Sequence, residues 1–100
     1  MLKHSSSSYE IQYEKTAEKF FRKHEDIRRQ YIQEIAEFLV GDHPERVDVK
    51  ILSGKRNKYY RMRIGDWRIV FSIINGKIIV INTVLAGSRG DIYKKIGGMK

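Results

Sequence analysis

Arg61, Arg63 and Arg68 flank the dipeptide Gly65-Asp66 in the run Tyr60-Arg61-Met62-Arg63-Ile64-Gly65-Asp66-Trp67-Arg68-Ile69-Val70-Phe71. A two-residue turn at Gly65-Asp66 sets Ile64 against Trp67, Arg63 against Arg68 and Met62 against Ile69. Side chains alternate along a strand, so Tyr60, Met62, Ile64, Trp67, Ile69 and Phe71 share one face and the three arginines share the other. Like charges placed directly opposite each other destabilise a sheet. Two arginines across from one another, with a third two residues away, therefore suggest a site for an anion. Guanidinium forks meet phosphate oxygens in pairs and stay charged. The competing reading has the arginines splayed into solvent or paired with acids. Only three acidic residues lie beyond residue 45, so local neutralisation is hard to arrange.

Two further residues extend this chemistry. In Gly87-Ser88-Arg89-Gly90-Asp91-Ile92-Tyr93, Arg89 and Tyr93 are four apart and share a face if the segment is helical. A tyrosine beside a phosphate site stacks on a base or transfers a proton; alternatively Tyr93 packs to close the core. Lys55, Arg56 and Lys58, in the preceding loop, read as phosphate-positioning charges without sequence preference. Other chemistries lack their residues. Zero Cys excludes disulfides, thiolate metal sites and thiol nucleophiles. His4, His24 and His43 show no metal-ligand spacing, and no cofactor or metal is expected. There is no Gly-rich phosphate loop, carboxylate pair or Ser-His-Asp arrangement.

Charge is unevenly distributed. Residues 1–45 carry 7 basic and 9 acidic side chains, whereas residues 46–100 carry 13 basic and 3 acidic. A half-chain this basic fits a polyanionic partner, most often nucleic acid. With 100 residues, 41% of them apolar, one small domain is expected. No apolar run approaches the roughly 18 residues that span a membrane. The N-terminus lacks the apolar stretch of a secretory signal, so a soluble cytoplasmic protein with no membrane partner is expected.

The elements that must hold these residues are legible from periodicity. Residues 1–8, with Ser5 to Ser8, read as a disordered N-terminus, 9–96 as the domain and 97–100 as a short tail. Tyr9 to Tyr13 alternates as a strand. Ala17, Phe20, Phe21, His24, Ile27, Tyr31, Ile35 and Phe38/Leu39 form a helical stripe. His24-Glu25-Asp26 interrupts it, predicting helices over 15–23 and 26–40 with an N-cap at Asp26 or Glu25. Gly41 is placed as the residue ending the second helix, and Pro44 prevents continuation. His24 reads as a core-edge residue. Val47, Val49 and Ile51 alternate, then strands follow over 59–64, 67–74 and 77–85. Gly65-Asp66 separates the first two, and Asn75-Gly76, the stronger hairpin signal, the last two. The apolar run from Ile78 to Leu85 belongs inside the sheet. A helical turn or two is expected within 87–96. The fold class is α+β, with two helices packed on one face of a mostly antiparallel twisted sheet in the order β-α-α-β-β-β(-β)-short α.

Both motif regions, at this spacing and in this order of elements, resemble the RelE/ParE superfamily of type II toxin–antitoxin toxins across about residues 9–96. The resemblance implies a small RelE-like fold and a ribosome-dependent mRNA endoribonuclease, an enzyme acting in the ribosomal A site to inhibit translation. Its 2′-OH attack leaves a 2′,3′-cyclic phosphate. Carried over by position, Arg61 and Arg63 match the basic pair on the third strand, and Arg68 the phosphate-contacting arginine. Arg89 matches the leaving-group arginine and Tyr93 the C-terminal aromatic. Lys94 and Lys95 join Lys55, Arg56 and Lys58 as RNA- or ribosome-binding residues. The implied partners are a cognate antitoxin, mRNA and the ribosome, with operator DNA reached only through the antitoxin complex. The chain departs from the best-known RelE pattern in having Arg-x-Arg for Lys-x-Lys and Ser53 where an arginine is expected. It also lacks the terminal histidine segment of the YoeB-like branch. Arginine is a poor general base, so the proton acceptor lies elsewhere: Tyr93, water or a ribosomal group. The alternatives are a ParE-like inhibitor of DNA gyrase and a degenerate toxin that only binds antitoxin.

Overall fold

The computed structural model describes residues 9–52 and 58–88, together with Gly90 and Ile92. The chain forms β1 (Tyr9–Tyr13), α1 (Lys15–Lys23), α2 (Glu25–Val40), a 3-10 turn at Pro44–Arg46, β2 (Val49–Leu52), β3 (Tyr59–Ile64), β4 (Trp67–Asn75) and β5 (Ile79–Ser88). The strands lie in the order β1-β5-β4-β3-β2. All neighbours are antiparallel except β1 and β5, which run parallel with Tyr9 opposite Ile79 and Tyr13 opposite Thr83. The apolar β5 is thus an internal strand, as expected of a segment with no solvent-facing polar alternation.

Both helices cover one face of the sheet because their apolar residues recur at helical spacing. Ala17 and Phe21 of α1, and Ile27, Tyr31 and Ile35 of α2, are buried against Met62, Ile64, Ile69, Phe71, Ile81 and Ala86. Burying the larger of these side chains contributes roughly 1.5–3 kcal/mol each. Tyr31 Oη and Thr83 Oγ1 share a fully buried hydrogen bond of 2.7 Å that ties α2 to β5. Arg28 joins α1, α2 and β1: its guanidinium bonds Glu18 at 3.1 Å and Glu25 at 3.1 Å and lies 4.9 Å from the centre of the Tyr13 ring. That hydrogen bond holds the Glu18 carboxyl below its usual range.

Several local expectations are corrected. His24, rather than Glu25 or Asp26, is the residue between the helices, and its carbonyl accepts from the N–H groups of Ile27 and Arg28. Glu25 and Asp26 occupy the first turn of α2, where negative charge complements the helix dipole. The His24 ring stacks on Phe20 at 4.4 Å and lies 4.8 Å from Trp67, at the edge of the core. Gly41 ends α2 in an extended conformation, not a left-handed one (φ −82°, ψ 173°). A Cβ there would collide with the Glu37 carboxylate, which turns back to accept the His43 N–H at 2.7 Å. The second strand begins at Val49, because Val47 is still leaving the 3-10 turn. β5 continues to Ser88, three residues beyond its expected end, and Gly90 and Ile92 are helical.

The two hairpins also exchange roles. Gly65 has φ +58° and Asp66 has no positive φ, the pattern of a type II′ turn, with Ile64 directly opposite Trp67. Asn75 instead pairs with Ile79 across a three-residue connection, and Gly76 has no positive φ. The extra residue matches a register shift between Val70 and Phe71, where Leu85 and Thr83 are the respective partners and Val84 is unpaired.

Gly65→Ala therefore costs roughly 1 kcal/mol or more in urea unfolding, whereas Gly76→Ala costs distinctly less. Equal losses, or a larger loss at Gly76, would contradict this assignment of the turns.

Candidate functional site

The β3–β4 hairpin places Arg63 directly opposite Arg68, with Met62 opposite Ile69 on the helix-covered face. Arg61, Arg63 and Arg68 thus share the outer face, turned away from the helices, because strand side chains alternate. They are held differently. Arg61 and Arg68 are buried, whereas the Arg63 side chain is 54% exposed. On β4 the residue opposite Arg68 in the next strand is Gly87, which itself has no side chain to set against the arginine.

One carboxylate organises two of the three. Asp48 Oδ1 accepts from Arg61 Nη2 at 3.2 Å, and its Oδ2 lies 2.6 Å from Arg63 Nε. The Arg63 N–H also donates to the Asp48 carbonyl at 3.0 Å, which fixes the carboxylate beside the pair. The expectation that these arginines lack a local counter-ion is therefore corrected. One of the three acids in the basic half sits between two of them, because a guanidinium as enclosed as Arg61 is costly without an opposite charge. Arg68 is treated otherwise. Its Nη1 donates to the carbonyls of Gly65 and Trp67, each at 3.1 Å, so neutral oxygens hold the group and its charge stays uncompensated by them. The Nε atoms of both Arg61 and Arg68 are buried without a hydrogen-bond partner.

Pairing of β2 with β3 adds a residue that sequence reasoning missed. Lys50 lies directly opposite Arg61 and shares its face. Among the described residues, four cations on this part of the outer face meet one carboxylate. Such an array has the donor geometry to meet an anion with several oxygens, since each guanidinium presents spaced donors at fixed angles. Lys58 is exposed at the entry to β3. Lys55, Arg56, Arg89, Tyr93, Lys94 and Lys95 lie outside the described residues. Farther along the outer face Val70, Leu85 and Ile92 form a small second core, packed by Leu52, Tyr59 and Val84. No group of three His, Cys, Asp or Glu side chains placed to hold a metal occurs among the described residues. No helix among them is long and apolar enough to cross a membrane.

Asp48 and Lys50 carried no signal in the sequence. Both reach the site through the β2–β3 pairing, which no turn motif in the sequence specifies.

Comparison with known proteins gives the family. The profile described as ParE toxin of type II toxin-antitoxin system, parDE, matches residues 11–90. A chain of the RelB–RelE antitoxin–toxin complex from Methanococcus jannaschii is similar at 24% identity, over 84% of this chain and 96% of that chain, with a TM-score of 0.49. No curated protein matches the sequence. The profile spans β1 from Ile11 onward, both helices and β2 to β5, including the hairpin that carries the three arginines. The chain belongs to the ParE toxin family, within the RelE/ParE superfamily of type II toxin–antitoxin toxins.

Proposed function

We propose that this toxin is a ribosome-dependent mRNA endoribonuclease. The observation that carries the reading is the clustering of Arg61, Arg63 and Arg68 on one hairpin face, partly desolvated and met by one carboxylate among the described residues. In the proposed reaction a ribose 2′-oxygen attacks the adjacent 3′ phosphorus. The O2′–P bond forms and the P–O5′ bond breaks, leaving a 2′,3′-cyclic phosphate and a 5′-hydroxyl. Charge accumulates on the non-bridging oxygens in the transition state, and fixed guanidinium donors stabilise it without reorganising. Arg68, held by two neutral carbonyls, is the natural contact for those oxygens.

The proton of the attacking hydroxyl needs an acceptor, and the arginines that replace the lysine pair cannot supply it. Asp48 supplies one. It touches both Arg61 and Arg63, and its side chain is 38% exposed, open to substrate. Arg89 protonates or stabilises the leaving oxygen, and Tyr93 completes the set, as the family resemblance implies. The cognate antitoxin, carrying an acidic or amphipathic segment, covers this basic face, and operator DNA is reached through that complex.

A second reading, inhibition of DNA gyrase, is favoured by the family profile itself, which is that of ParE toxins. One experiment separates the two. The protein is added to a purified translation reaction on one defined mRNA, with and without ribosomes, and RNA 5′ ends are mapped. The expected result is ribosome-dependent cuts at A-site codons. No cuts, together with DNA breaks in a parallel gyrase reaction, would establish the second reading.

Two substitutions sharpen the mechanism. Arg68→Ala slows cleavage by about 10²–10³-fold, the loss typical of one oxyanion donor. Asp48→Asn slows it by about 10²–10⁴-fold, the contribution of a positioned base. The same Asp48→Asn change tightens binding of single-stranded RNA and steepens its salt dependence by about one phosphate equivalent, because two arginines lose their internal counter-ion. Full cleavage activity in Asp48→Asn would remove the residue from the proton-transfer role, and weaker RNA binding would show that the carboxylate does not compete with phosphate.

A further inference from the structure

The outer face does not end at the arginines. Two residues before Arg61 on the same strand, and so about 7 Å away on the same face, lies Tyr59. In register it faces Ser72 of β4, which faces Asn82 of β5, so a row of polar groups crosses three strands. These residues line an open groove of about 690 Å3, whose walls also include Glu14, Lys58 and Ile74.

Its chemistry is specific. Tyr59 packs against the Val70, Leu85 and Ile92 cluster, which fixes one aromatic group at the groove. Ile74 is 51% exposed, an apolar surface left open at the tip of β4. Asn82 Nδ2 donates to Glu14 Oε2 at 2.7 Å, locking amide and carboxylate side by side. That bond leaves the amide one further N–H and its carbonyl oxygen, and leaves the carboxylate most of its acceptor sites. An aromatic platform beside an amide and a carboxylate is the equipment with which proteins hold an unstacked base of a single strand. The carboxylate selects among bases. Guanine presents two adjacent donors, N1–H and the N2 amino group, next to the O6 acceptor. Uracil flanks its single donor with two oxygens that a carboxylate repels, and adenine offers one amino group only. An acidic peptide is disfavoured, since it would bring carboxylates to Glu14, with Lys58 the one cation among the described residues of the groove wall.

We propose that this groove is a base-reading subsite that holds one unstacked guanine of the RNA strand whose phosphate lies on the arginines. Tyr59 stacks on the base, and Glu14 with Asn82 reads its edge. The proposal rests on the ribonuclease reading for the identity of the polyanion.

The test uses the full chain and fluorescent 2′-O-methyl hexanucleotides, which lack the attacking hydroxyl, with one guanine or one adenine in an otherwise uracil sequence. The guanine probe binds about tenfold or more tightly than the adenine probe, the discrimination of one good bidentate contact. Glu14→Gln, at an exposed side chain, removes that preference. Tyr59→Leu weakens both probes by about tenfold or more, and Tyr59→Phe, which keeps the ring, restores binding. Equal affinity for both probes, no binding of either, or a preference that survives Glu14→Gln overturns the proposal. The translation reaction tells the two failures apart. Cuts whose base context is unchanged in Glu14→Gln overturn the groove assignment and leave the ribonuclease reading standing. Guanine-selective binding with no cleavage by the wild type overturns the ribonuclease reading and leaves the groove as a base site.

Discussion

Arg63 faces Arg68 across the hairpin, and Arg61 faces Lys50 across the neighbouring pair of strands. Like charges set directly opposite each other destabilise a sheet, so this confrontation carries a local cost, lowered where Asp48 pairs with Arg61 and Arg63. It is tolerated because the same alternation that turns the arginines to the outer face buries Met62, Ile64, Ile69 and Phe71 on the other. A slip of one residue would exchange the two sets, moving guanidinium groups under the helices and core side chains into water. The hydrophobic core therefore fixes the arginine face. Gly65, at a φ only glycine adopts easily, fixes the register at the point where the two strands separate.

Asp48 is the partial remedy built into this arrangement. It bridges Arg61 and Arg63, while Arg68 is held by two neutral carbonyls, so among the described residues four cations on this face meet one carboxylate. In the proposed function, a substrate phosphate and Asp48 compete for the same guanidinium pair. The contest sets both the affinity for a polyanion and, in the ribonuclease reading, the place where the attacking hydroxyl meets a base. The fold itself does not choose between phosphate chemistry and a binding role, since one scaffold supports both; the arrangement of side chains on the outer face carries that choice.

Local signals made much of this visible in advance. The alternation of Tyr60 to Phe71 around Gly65-Asp66 specifies the hairpin, its register and the shared face of three arginines without any tertiary information. The stripe from Ala17 to Leu39 does the same for the helix pair. What depended on distant pairing stayed hidden. Asp48 and Lys50 reach the arginines through a strand whose register no turn motif dictates, and Glu14 reaches Asn82 across 68 positions of sequence. Asn75-Gly76 misled for a different reason. The pairing of β4 with β5 places Asn75 inside the strand opposite Ile79, so Gly76 to Ile78 make the connection, and the one-residue shift between Val70 and Phe71 gives it an odd number of residues. Gly41 shows the same limit, being present for the Glu37 side chain and not for a left-handed backbone.

An arginine face that holds phosphate gains stability when the anion binds, and the unfolding of the chain reports that gain directly. Thermal unfolding with increasing pyrophosphate, at ionic strength matched by sodium chloride, measures the free energy that an anion returns to the like-charged face. The account predicts a midpoint that rises with pyrophosphate in the wild type and stays nearly flat in Arg63→Gln and Arg68→Gln, both folded. An equal rise with chloride alone, or an undiminished rise in both variants, would contradict it.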